Sequence, residues 1–168
     1  MPTPTYTLID SVTLTSSASS VTFSSISAAG KGDLVLVVNA ATTSNYSGAS
    51  FRLNGDTGTN YSAVRASGNG SSGSSTSAAA SAAGYLGFDA AAPTTEANNI
   101  VAEFLDFSAT DKHKPVLVRS GSTSGAVPGV EMIANRWANT AAITTLLVFT
   151  GSSFAAGSTF NLYQIVSE

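Results

Sequence analysis

Phe51-Arg52-Leu53-Asn54-Gly55-Asp56-Thr57-Gly58-Thr59-Asn60-Tyr61-Ser62-Ala63-Val64 holds the segment that decides the fold class. Two short runs that include aromatic residues flank an Asn-Gly pair. That pair tolerates the positive φ angles a tight turn needs, so the stretch is predicted to be a β-hairpin. The rest of the chain uses the same vocabulary. Tyr6 and Leu8 alternate with Thr7 and Ile9, Val12 shares a face with Leu14, and Val21 shares one with Phe23, the two-residue period of half-buried strands. Gly30-Lys31-Gly32-Asp33 reads as a turn, and Leu34-Val35-Leu36-Val37-Val38, apolar on both faces, reads as a central strand.

Further strands are expected at Ile100–Phe107, Pro115–Arg119, Val130–Trp137, Ile143–Phe149 and Thr159–Val166, each rich in β-branched or aromatic residues. The alanine-rich stretch from Ala78 to Ala92 is broken by Gly84 and Gly87 and has no large apolar residue at helical spacing. It reads as a loop with a short strand near Tyr85. Ser67–Ser81, nearly all Ser, Gly and Ala, reads as an exposed loop within one sandwich spanning residues 1–168. The expected fold is all-β: an antiparallel, jelly-roll-like β-sandwich of about eight to ten short strands.

Composition narrows the chemistry. The chain has 168 residues, 10% of them charged, with a net charge of -3, which leaves no cationic surface for nucleic acid. There is no cysteine and one histidine, so disulfides, thiolate zinc sites and multi-histidine metal sites are outside its reach. Leu, Ile, Val and Phe supply only 38 residues, a lean core. Met1-Pro2-Thr3-Pro4-Thr5 lacks the pattern of an export signal, and the longest strongly apolar run, Leu34–Val38, is too short to span a bilayer. A soluble chain with no membrane partner is expected.

Four stretches resemble small virion proteins of tailed bacteriophages, described as structural or fibre proteins. They are Tyr6–Leu14 (YTLIDSVTL), Phe51–Tyr61 (FRLNGDTGTNY), Trp137–Ile143 (WANTAAI) and Phe154–Ile165 (FAAGSTFNLYQI). The resemblance touches both ends and the middle of the chain, and its motifs are turns and strands without reactive groups. It implies a β-rich homo-oligomer on a phage particle, made in the host cytoplasm and assembled onto the virion.

Catalytic readings fare poorly. His113, in Asp111-Lys112-His113-Lys114-Pro115, is the only imidazole that could serve a nucleophile, and it sits in what reads as a solvated turn. Gly121-Ser122-Thr123-Ser124-Gly125 has its glycines shifted from the nucleophile-elbow spacing. Glu103 and Asp106 fall on opposite faces of one predicted strand, and Asp89 with Glu131 is a pair without support. Asn54, Asp56 and Asn60 hold one acid, too few oxygens for calcium, and Gly68-Asn69-Gly70 lacks a following lysine for phosphate. No enzyme activity and no cofactor are expected.

Recognition is the remaining chemistry. Tyr46 in Thr43–Gly48 is the best candidate for an exposed aromatic, whereas Trp137 shares strand parity with Ile133 and suits a buried or interface role before a sugar platform. The candidate ligand or partner contacts are Asn45, Tyr46, Asn69 and Trp137. The function expected from this reading is a capsid decoration or head-fibre component, a homotrimer packed against virion proteins such as the major capsid protein. The alternative is the receptor-binding tip of a tail fibre, docking cell-surface glycans through loops carrying Asn45, Tyr46 or Asn69.

Overall fold

A computed structural model describes residues 5–29, 32–44, 48–87, 97–122 and 129–166. Among them lie twelve strands: β1 Tyr6–Thr13, β2 Ala18–Phe23, β3 Gly32–Ala40, β4 Ala49–Leu53, β5 Tyr61–Gly68, β6 Gly73–Ser81, β7 Gly84–Gly87, β8 Asn98–Phe104, β9 Lys114–Ser122, β10 Gly129–Trp137, β11 Leu146–Phe154 and β12 Thr159–Val166. The described residues contain no helix, so none long and apolar enough to cross a membrane.

Two antiparallel sheets form a sandwich, one ordered β1-β12-β3-β8-β9-β10-β5-β6 and the other β2-β11-β4-β7. The topology is a jelly roll with an extension. Pairing the outermost remaining strands, β1 with β12, β2 with β11, β3 with β8 and β4 with β7, gives the four antiparallel ribbons of that fold, dealt alternately to the two layers. The four strands left over, β9, β10, β5 and β6, continue the larger sheet beyond β8.

The core lies between the layers. Leu34, Leu36 and Val38 of β3, Ile100, Ala102 and Phe104 of β8 and Val116 and Val118 of β9 point inward from the larger sheet; Val21, Phe23, Phe51, Leu53, Leu146 and Val148 point inward from the smaller. Phe51 meets Phe104 edge to face at 5.2 Å between ring centroids, and Phe154 meets Phe160 at 5.0 Å, so aromatic pairs help fill a core short of aliphatic side chains. β3 is central, as its two-sided apolar pattern requires, between β12 and β8. In β1 a register shift between Leu8 and Asp10 switches parity, which leaves Tyr6 and Leu8 exposed and half-buries Val12 against the core.

Several expectations need correction. Phe51–Val64 is no hairpin, because β4 and β5 belong to different sheets and face each other across the core. The Asn-Gly turn does form, with Asn54 at φ 52° and Gly55 at φ 68°. The chain then runs on through Asn60 into the other layer, where the Tyr61 hydroxyl accepts a hydrogen bond from the Leu53 amide at 2.9 Å. Alternation within each strand was the same for either pairing and could not tell the two apart.

Residues 67–81 are exposed but not a loop. They end β5, turn at Asn69–Ser72 and return as β6, in register from Ala63↔Ala78 to Gly68↔Gly73. Backbone pairing with β5 makes this strand, and an edge strand with little to bury needs no β-branched residues. This hairpin also takes the count to twelve, above the expected eight to ten. The predicted strand Ile100–Phe107 ends at Phe104, since Leu105–Ser108 form a turn with Asp106 at φ 49°, and Ile143–Thr145 precede β11 as irregular chain.

Candidate functional site

Trp137 does not offer a face to ligands. It is 1% exposed, stacks on Tyr61 with ring centroids 6.5 Å apart, and donates its indole N–H to Asp56 Oδ2 at 2.7 Å. Asp56 also accepts from Asn60 Nδ2 at 2.9 Å and from the Gly58 amide at 2.8 Å. Burial alone would raise its carboxyl pKa, but the three donors outweigh burial and hold it below the usual carboxylate range. The sequence reading set this stretch aside as a calcium loop, and the structure gives its carboxylate a full set of protein donors. Asn54 works likewise: its Oδ1 accepts from the amides of Thr144 and Thr145, and its Nδ2 donates to Ala142 O. Asn54 thus ties the crossover between the sheets to the chain entering β11, and Asp56 ties it to the end of β10.

Asn69 is exposed and its Oδ1 accepts from the amides of Ser71 and Ser72 and from the Ser72 hydroxyl, which spends it on holding the β5–β6 turn. Asn45 and Tyr46 lie outside the described residues, as do Asp89 and Ser124. His113 is exposed on the approach to β9. Glu103 points outward from β8 to Arg119 at 3.2 Å, while Asp106 in the following turn pairs with Lys112 at 3.2 Å, so the two acids serve separate ion pairs. Among the described residues no three of His, Cys, Asp and Glu gather as a metal would require.

The sequence reading did not anticipate the burial of Lys114, Glu131 and Asn135. Lys114 is fully buried, and its ammonium donates to the carbonyls of Ala109 at 2.6 Å, Lys112 at 3.0 Å and Thr140 at 3.3 Å, tying two turns to the start of β9. Burial lowers its pKa, against the opposing pull of Asp111 and Asp106. Glu131 accepts from the Ser120 hydroxyl at 3.2 Å. Asn135 clasps β7, accepting from the Tyr85 amide at 2.9 Å and donating to the Tyr85 carbonyl at 3.0 Å. Lys114 shares the inward parity of Val116, and Glu131 and Asn135 share that of Ile133 and Trp137. Polar residues at inward strand positions were therefore the legible signal.

The clasp and two glycines let β7 lie close to its neighbours. A Cβ on Gly84 would stand 2.2 Å from the Phe51 ring, and one on Gly87, at φ 113°, would stand 2.2 Å from Ser120 Oγ and 2.7 Å from Glu131 Oε2. The smaller sheet ends at β7 while the larger continues through β5 and β6, and a cleft of about 180 Å³ opens under this overhang. Ala63, Arg65, Thr76, Ser77, Ala78 and Tyr85 line it. Tyr85 is 38% exposed, and its backbone is fixed by Asn135.

The outer face of the larger sheet is the second candidate surface. Register aligns Val64, Ala134, Leu117, Glu103, Val35, Tyr163 and Leu8 in a row across seven strands, with Ala66, Met132, Arg119, Val101 and Val37 in the next and Gly68, Val130 and Gly121 in a third. Large apolar side chains are exposed on this face at both ends, Val64 60%, Val130 66%, Met132 70% and Leu117 47% on the extension and Tyr6 56% and Leu8 52% on β1. The smaller sheet treats its outward Phe149 differently, since the Arg52 guanidinium lies 4.7 Å over the ring. No family model, curated protein or solved structure matches the chain.

Proposed function

We propose that the chain is a structural component of a tailed-bacteriophage particle, a capsid decoration or head-fibre protein. It works by packing, as a homotrimer and against virion proteins such as the major capsid protein. The observation that carries this reading is the uncovered apolar outer face of the larger sheet. Both parts of that sheet bury their inner faces in the core, and their outer face carries Val64, Leu117, Val130 and Met132 on the extension and Tyr6 and Leu8 on β1 into solvent, as a surface meant for burial by association does. The resemblance of four distributed stretches to phage virion proteins supports the same reading. The acids and the lone histidine described above are engaged in ion pairs and turns or stand apart, so the reading assigns no reaction to them.

Antibody labelling of intact particles tests the proposal. Label scattered over the shell is the expected result, and particles that bind no label would overturn it. The assembly should also survive rising salt, because apolar contacts are not screened as ion pairs are.

A second reading, the receptor-binding tip of a tail fibre recognising cell-surface glycans, draws support from the cleft beneath β5 and β6. There a rigidly held tyrosine, an arginine and two hydroxyl side chains converge. Selective binding on a glycan array, with label confined to the tail, would favour it. Incubation with host polysaccharide should yield no new reducing ends under either reading.

A further inference from the structure

We infer that Asn69 is a site of spontaneous covalent modification, where the carboxamide is lost as ammonia and the β5–β6 turn acquires an aspartate or an isoaspartate. The inference concerns the chemistry of this turn and does not rest on the packing role proposed above.

The reaction needs an asparagine whose following amide nitrogen reaches its own side chain. Gly70 N gives up its proton to solvent base and bonds to Asn69 Cγ. The Cγ–Nδ2 bond breaks, ammonia leaves with a proton from solvent, and a cyclic imide remains. Water then opens the ring. Attack at Cγ gives aspartate, whereas attack at the main-chain carbonyl leaves Gly70 joined through Cγ as isoaspartate. A side chain on the residue after the asparagine crowds the approach, so glycine is the favourable neighbour. The sequence holds two such pairs, Asn54-Gly55 and Asn69-Gly70.

The fold separates them. Ring closure swings the carboxamide and the next peptide toward each other, so both must leave their present bonds. Asn54 is tied to distant chain. Its Oδ1 accepts from the amides of Thr144 at 2.8 Å and Thr145 at 3.1 Å, its Nδ2 donates to Ala142 O at 2.7 Å, and its own amide donates to Thr145 O at 2.9 Å. Freeing it unlaces the crossover from the chain entering β11. The side-chain bonds of Asn69 instead end within its own turn, on Ser71 and Ser72, and its Nδ2 donates to none of the described residues. Asn69 and Gly70 are both exposed, and Gly70, at φ 85°, has open space where a Cβ would stand. Little else holds the turn. The Asn69 amide donates to Ser72 O at 3.1 Å, the Ser67 and Ser74 hydroxyls share a bond at 2.9 Å, and β6, last in its sheet, pairs with β5 alone. A hairpin end at a sheet edge opens locally more readily than a crossover pinned from the other end of the chain.

The product alters the overhang. Either outcome adds a negative charge to a chain whose net charge is -3. Isoaspartate also lengthens the main chain by a methylene beside the Gly68↔Gly73 pair, where the register of β6 begins. The hairpin whose Thr76, Ser77 and Ala78 line the cleft therefore loosens as the chain ages.

Holding the full chain in mildly alkaline buffer and mapping its tryptic peptides over time tests the inference. Cleavage after Arg52, Arg65 and Lys112 puts the two pairs in separate peptides, residues 53–65 and 66–112, and fragmentation by mass spectrometry places each exchange of amide for acid. Asn69 should convert roughly tenfold or more faster than Asn54 in the native chain, and the difference should vanish in denaturing urea, where neither pair is held. Amide exchange along β6 should quicken in chain that carries isoaspartate. Asn54 converting as fast as Asn69 in the native chain, Asn69 converting only in urea, or a difference undiminished by urea would overturn the inference. Unchanged exchange along β6 in the modified chain would overturn the loosening.

Discussion

Asp56→Ala is the substitution whose cost follows most directly from the geometry. In the native chain the Trp137 indole N–H has its partner in Asp56 Oδ2 at 2.7 Å, and Trp137 itself is 1% exposed. Removing the carboxylate leaves that donor, on a buried ring, without its partner. A charge-assisted bond contributes about 1.5–3 kcal/mol, and an unpartnered buried donor costs about 1–3 kcal/mol, two descriptions of one loss that overlap. The other two donors, on Asn60 and Gly58, lie nearer the surface and regain water. The expected destabilisation is therefore about 3 kcal/mol, a fall of roughly 1–2 M in the urea midpoint. Because Trp137 is the only tryptophan, its fluorescence reports unfolding at the site, and circular dichroism reports the whole fold. Both should be read at one fixed protein concentration.

A double-mutant cycle isolates the contact. Trp137→Phe removes the donor, so Asp56→Ala should cost about 1 kcal/mol in that background, a coupling of about 2 kcal/mol. The pH dependence supplies a second arm. Because the folded-state pKa of Asp56 lies below the ordinary carboxylate value of 3.8, its contribution is fully present above that value and disappears as pH falls through the lower, folded one. Asp56→Asn should flatten that acid limb. A destabilisation below about 0.5 kcal/mol, or a coupling of zero within error, would refute the argument that this carboxylate holds the crossover.

Gly87→Ala should destabilise by about 2 kcal/mol or more, since it adds both a left-handed backbone penalty and contacts with Ser120 and Glu131, and thermal melting measures it. Lys114→Met should cost about 2–3 kcal/mol in urea unfolding, because it leaves three turn carbonyls without their shared donor; an unchanged midpoint would show that water replaces the ammonium. Burial pushes the Tyr61 hydroxyl pKa up to about 12 from 10.0, so its contribution to folding stability is fully present below pH 10 and stability should fall by about 2–3 kcal/mol as pH rises toward 12. Tyr61→Phe should lose that alkaline decline, which stability measured across the range would reveal.

Strand alternation made the all-β class, the central place of β3 and the inward parity of Trp137 legible, because period-two burial is a local property of the chain. Partner choice is not local. The sequence holds two Asn-Gly pairs, Asn54-Gly55 and Asn69-Gly70, and the hairpin belongs to the second, which sits in a stretch whose composition reads as linker. The first makes a turn of the expected kind and then leads across the core, held there by Thr144, Thr145 and Trp137, residues about 80 to 90 positions downstream. The candidate site shows the same divide. Asn69 and Trp137 were chosen as contact residues for their chemistry; the fold buries Trp137, while Asn69 stays exposed with its Oδ1 holding the β5–β6 turn. The apolar row through Val64, Ala134 and Leu117 exists only once β5, β10 and β9 lie side by side.

Asn135 gives the sandwich an unusual margin. Where β7 approaches β10, a single carboxamide takes the place a neighbouring strand would occupy, offering one donor and one acceptor to Tyr85. Such a seam resembles a clasp on a book cover, since opening it breaks two bonds and leaves the spine of the ladder intact. Deuterium uptake at the Tyr85 amide would time that local unfastening apart from global unfolding, and so report how readily the overhang lifts from the leaf beneath it.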